Sequence, residues 1–137
     1  NKKAEKHVEF SVIKNIAAFL NTNGGKLFIG IDDNGKPLGI ENTDFTTFRE
    51  ENKTDAFLKH LDNLISTYFG NEYSRNFEIE FKSINNQTIA LLDIFPNNQG
   101  PTIIKNNGKD LFYIRRNASA IFLNMPEFYS YSKERWS

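Results

Sequence analysis

The chain has 137 residues, with 17 Lys plus Arg against 17 Asp plus Glu and no cysteine. This length sets the expectation of a single domain over residues 1–137 with an ordinary core, and the missing thiols exclude a disulfide framework, a thiolate metal site and sulfur redox chemistry. Balanced charge leaves nucleic-acid binding to a local patch, and the lack of an apolar run of about 18 residues or of a signal-peptide apolar region predicts a soluble, cytoplasmic chain without membrane contact.

The sequence opens without Met in Asn1-Lys2-Lys3-Ala4-Glu5-Lys6, which reads as the cut edge of a larger protein of which this is a C-terminal part. From Glu5 to Leu20 the residues Val8, Val12, Ile13, Ile16, Ala17, Phe19 and Leu20 recur every three or four positions, the period of an amphipathic helix. Asn21-Thr22-Asn23 competes with helix continuation, and Gly24-Gly25 supplies the backbone freedom to reverse into a strand. Lys26 to Ile31 is that strand; its apolar residues on both parities predict a central position, buried on both faces. Asp33-Asn34-Gly35 then turns, and Lys36 to Ile40 returns with Pro37 limiting it to an edge or a brief pairing. Glu41 to Thr54 is polar and reads as a loop.

Asp55 is placed to cap a second helix with a stripe of Phe57, Leu58, Leu61, Leu64, Ile65, Tyr68 and Phe69, ended by Gly70. Phe77, Ile79 and Phe81 alternate with Glu78, Glu80 and Lys82, predicting a strand exposed on one side; Asn85-Asn86 turns it into Thr88–Phe95, apolar enough to be central. A breaker cluster from Pro96 to Pro101 leads to a short edge at Thr102–Lys105, a turn at 106–108 and a last strand over Asp110–Arg115. Asn124 and Pro126 predict a terminal helix with an aromatic face of Phe128, Tyr129 and Tyr131. The sum is an α+β fold: a mixed, mostly antiparallel sheet with packed helices.

Each candidate site residue has a structural reading beside its functional one. Asp32 and Asp33, adjacent carboxylates at a strand end, suit a metal or simply open an Asp-Asn-Gly turn. Gly24 and Gly25 let phosphate approach backbone N–H groups or serve only the reversal. Arg115 and Arg116 point to opposite faces of their strand, so one of them at most joins a given site, where a guanidinium grips phosphate or braces a carboxylate. Lys14, Lys26, Lys36, Lys105 and Lys109 extend a phosphate-tracking surface or confer solubility. His7 and His60 lack metal spacing, and Trp136 with Tyr129 and Tyr131 reads as packing more than as a base-stacking platform.

Three elements in order, Ile16 to Gly25, Leu27 to Asp33 with Gly35, and Phe112-Tyr113-Ile114-Arg115, resemble the Schlafen AlbA-like domain. The resemblance spans nearly the whole chain. It implies nucleic-acid binding, to RNA or DNA, in a microbial regulatory or defence protein, with Arg115, the nearby lysines and the corner of Asn21, Thr22, Gly24 and Gly25 reading backbone phosphate. It also implies an alternative, a metal-dependent endoribonuclease using Mg or Mn, in which Asp33, with Asp32 as its neighbour, matches one of three acids. The other two belong to a strand near the domain's start; Glu9 mimics one of them but falls within the first helix, which leaves them upstream of residue 1 or absent. A third reading is a regulatory or homo-oligomerising module, joined to other domains of the same chain, that touches no nucleic acid.

Overall fold

The computed structural model describes residues 2–31, 34–37, 39–40 and 53–137. Asp32, Asp33 and most of the polar segment after Ile40 lie outside the described residues. The elements are α1 (Lys2–Leu20), β1 (Gly25–Ile29), α2 (Lys53–Phe69), a 3₁₀ turn (Asn71–Asn76), β2 (Phe77–Ile84), β3 (Gln87–Ile94), β4 (Ile104–Asn106), β5 (Lys109–Leu111), β6 (Tyr113–Arg116), β7 (Ser119–Phe122) and α3 (Met125–Arg135). The architecture is α+β, and every strand pairing among the described residues is antiparallel. No described helix is long and apolar enough to cross a membrane.

The principal sheet has the order β1-β3-β2, with β4–β5 and β6–β7 as separate two-stranded ribbons. α1 and α2 place Ile13, Ile16, Leu20, Phe57, Leu61 and Ile65 against Ala90, Leu92 and Ile94 of β3. Helical period and strand alternation thus meet in one core, as the sequence pattern requires. The β2–β3 hairpin closes through Asn85 and Asn86 at φ 52° and 65°, the left-handed pair that a two-residue hairpin turn demands. At the other end, Asn124 caps α3 by accepting from the Glu127 backbone, and the Glu127 carboxylate answers to the Asn124 N–H at 3.0 Å.

Three expectations change. β1 is the outer strand of its sheet, not the central one: among the described residues it pairs with β3 alone, and Phe28 is half exposed while Leu27 and Ile29 turn inward. β3 takes the centre because its apolar run is longer and buried nearly throughout. Beyond β1, Ile31 bridges Pro37 once, the brief return that proline permits. Helix α2 begins at Lys53, so Asp55 lies in its first turn, where a carboxylate favours the helix N-terminus.

The last predicted strand is in fact two, divided at Phe112, whose side chain is buried and whose carbonyl accepts from Leu123 N–H at 3.0 Å. β6 then returns as β7 through Asn117 and Ala118 at φ 53° and 64°. That hairpin carries a second apolar cluster of Phe112, Ile114 and Leu123, against which Phe128, Tyr131 and Trp136 of the C-terminal segment pack. Phe128 and Tyr131 of the expected aromatic face are therefore spent on packing, while Tyr129 stays exposed.

Candidate nucleic-acid interface

The site begins at the C-terminus of α1. Gly24, at φ 70°, donates its N–H to Phe19 O at 2.8 Å and closes the helix. A Cβ there would stand 2.4 Å from the Ile94 carbonyl, and one on Gly25 would stand 2.4 Å from the Phe19 ring. Both glycines are required by close approach within the fold.

Asn21, expected on a phosphate-facing corner, is wholly buried. Its amide nitrogen donates to Thr102 O and Tyr113 O, each at 2.9 Å, and its Oδ1 accepts from Thr102 N at 2.7 Å. No hydrogen of that amide remains for a ligand. Thr22 Oγ1 donates to Ala18 O and accepts from Arg115 N, both at 2.9 Å. α3 locks the same corner from outside: Tyr131 OH donates to Asn21 O at 2.6 Å and Arg135 Nη2 to Thr22 O at 3.0 Å. A cation from α3 thus sits at the negative end of α1, whose own last turn has no basic residue.

The corner's effect is to fix β6 against α1. Arg115 faces α1, with its Cζ 4.5 Å from the Phe19 ring centroid and Nη1 donating to Asn15 Oδ1 at 3.1 Å. Asn15 is itself oriented, its amide donating to Ser11 O at 2.8 Å. The guanidinium is held half buried by an aromatic ring and a neutral amide, and among the described residues no carboxylate pairs with it. Arg116, opposite Ser119 in the register, is exposed on the other face of the ribbon, the one whose Ile114 and Ile121 meet α3. Opposed orientation is what strand alternation predicted.

The lysines divide. Lys14 neighbours Asn15 on α1 and is partly exposed. Lys26 lies on the sheet face turned away from the helices, 3.8 Å from Asp93 and in register with Glu78 through that aspartate. Lys36 is exposed beside the Ile31–Pro37 bridge, Lys105 pairs with Asp110 at 3.6 Å, and Lys109 is exposed at the start of β5. The seam between α1 and β6 therefore gathers Arg115 with the Asn15 amide, which was not singled out from sequence; the helical spacing of polar Asn15 and Thr22 on one side of the first helix and its corner was the available signal.

Glu9 lies within α1 and its Oε2 meets Nε2 of His60 at 2.6 Å, tying α1 to α2. Among the described residues no three His, Asp or Glu side chains gather to hold a metal, and Asp32 and Asp33 lie outside those residues. Burial pushes the Tyr113 phenol above its ordinary value; its ring stands against Phe122 at 5.9 Å.

An α+β domain whose first helix ends in a glycine corner and whose late hairpin offers an arginine that meets no carboxylate among the described residues defines the class. The chain matches the family model described as Schlafen, AlbA_2 over residues 1–123, and it belongs to that family. α3 follows the matched region. No curated protein matches the chain. Among solved structures it is similar to the DIP2311 protein from Corynebacterium diphtheriae, 18% identical, with a TM-score of 0.61, over 99% of this chain and 23% of that one. The likeness concerns the fold, and the chain spans under a quarter of that protein's length.

Proposed function

We propose that this domain binds nucleic acid through backbone phosphate, with Arg115 as the anchor and Lys14 as a flanking charge. The family is commonly nucleic-acid related. The observation that carries the reading is the state of Arg115: a guanidinium held by Phe19 and Asn15, with its charge not neutralised by a carboxylate among the described residues. Such a group has surrendered its rotamer freedom before a ligand arrives, and one of its five N–H donors is spent on Asn15 while the rest form a fork suited to phosphate. Contacts of this kind place a duplex or folded strand without reading its bases, so affinity falls steeply with salt.

The test is binding of the purified chain to labelled tRNA-like RNA and duplex DNA across a salt series, with manganese, magnesium or chelator in parallel tubes. Salt-sensitive binding that Arg115→Ala weakens about tenfold at low salt is the expected result, with the log–log salt slope falling by about one. Metal-dependent cutting lost in Asp33→Ala would shift the assignment to the endoribonuclease reading. A folded chain that neither binds nor cuts would leave an interaction module.

A further inference from the structure

The two edges of the β6–β7 ribbon are treated differently. A two-residue turn at Asn117-Ala118 makes Arg116–Ser119 a hydrogen-bonded pair, as then are Ile114–Ile121 and Phe112–Leu123, so Tyr113, Arg115, Ala120 and Phe122 turn their N–H and C=O groups outward. On β6 both kinds of outward group are taken: Arg115 N–H by Thr22 Oγ1 and Tyr113 O by the Asn21 amide. On β7 the outward groups of Ala120 and Phe122 meet no partner among the described residues.

Such an edge is a template for another strand, and proteins ordinarily blunt it with charge or proline. The other strands here carry that protection: Lys26 on β1, Glu78, Glu80 and Lys82 on β2, Lys105 on β4, Lys109 and Asp110 on β5. β7, Ser-Ala-Ile-Phe, is the one described strand without a charged residue, and it has neither proline nor glycine. Phe122 is 49% exposed at its end, and with Ile103 at 47% and Met125 at 81% it lines a shallow cavity of about 260 Å³.

We propose that β7 pairs with β7 of a second copy of this chain, antiparallel, about a two-fold axis through Ile121. The occupant follows from self-complementarity. The outward residues are Ala120 and Phe122, so the register sets Ala120 beside the second copy's Phe122 and Phe122 beside its Ala120, each pair exchanging both backbone hydrogen bonds. The large exposed ring then lies over the smallest side chain of the strand, no like charges face one another, and a two-fold operator satisfies both edges at once. The result is a four-stranded sheet, β6-β7-β7-β6, that joins two Arg115 seams. The pairing does not depend on nucleic-acid binding.

The absence of cysteine makes the register directly testable. On the axis, Ile121 faces its own copy as a non-hydrogen-bonded pair with Cα atoms about 4.5 Å apart, within disulfide reach. Ser119 of the two copies stands roughly 13 Å apart, beyond it. Under mild oxidation, Ile121→Cys is expected to convert more than about half the chain to a covalent dimer and Ser119→Cys less than about a tenth. Because Ile121 packs toward α3, the unaltered chain and Phe122→Lys are compared by sedimentation as well. A species of twice 15.8 kDa that Phe122→Lys returns to monomer supports the pairing. A folded chain monomeric at every concentration overturns it, as does a dimer indifferent to Phe122→Lys or equal cross-linking at both cysteines.

Discussion

Two basic residues on strands of this domain have opposite surroundings. Lys26, on the outer face of the main sheet, faces Asp93 at 3.8 Å with Glu78 next along the same row. Arg115, at the α1–β6 seam, is held by the Phe19 ring and the Asn15 amide. The first is a solvated ion pair whose field is largely cancelled where it stands; the second is fixed in direction and meets no carboxylate among the described residues. What separates them is whether the group that orients the cation also neutralises it.

The largest effect comes from destroying the frame that makes the seam. Asn21→Leu removes one buried amide and orphans Thr102 N–H, Thr102 O and Tyr113 O, a loss of about 3 kcal/mol or more, read as a fall of roughly 10 °C in the thermal midpoint. Loss of Lys26–Asp93 by Asp93→Asn is expected to change stability by at most about 0.5 kcal/mol in the same melt. A corner that tolerates Asn21→Leu would show that the seam is held by packing alone.

Function sharpens the contrast next. Arg115→Lys retains charge but loses the planar fork, and is expected to weaken nucleic-acid binding about three- to fivefold in filter binding at low salt; Lys26→Ala is expected to change it by less than about twofold. Equal losses at the two positions would mean that only net charge matters.

A smaller effect lies in alkaline stability. Tyr113 has its pKa raised by burial, so the folded chain holds that proton more tightly than the unfolded one. The associated stability is present in full below about pH 10 and declines as pH rises through the folded value. Denaturant midpoints followed from about pH 8 upward should fall more steeply above pH 10 for the native chain than for Tyr113→Phe. Identical slopes would place the phenol in water in both states.

Local rules carried much of the fold. α1, α2, the β2–β3 hairpin with its Asn85-Asn86 turn and the capped start of α3 each follow from residues a few positions apart, which is the range over which hydrophobic period and turn chemistry act. The opposed directions of Arg115 and Arg116 were legible for the same reason. β7 was not, because its turn is Asn-Ala, without the glycine that usually marks a two-residue hairpin, and because Ala and Ser give a weak strand pattern.

What tertiary structure alone decided are the roles that depend on partners distant in sequence. Asn21 looked like a helix stop and proved to be a buried bracket between Thr102 and Tyr113, more than 80 residues away. Phe19 looked like core and serves also as the platform of Arg115, while β1, apolar on both parities, was left at the side of its sheet by a longer apolar strand that claimed the centre. Sequence by itself determined which segments fold and which way their side chains alternate, since those are set by neighbours along the chain. Among the described residues, which cation meets a carboxylate and which strand edge meets a partner were decided by what the folded chain brings to each.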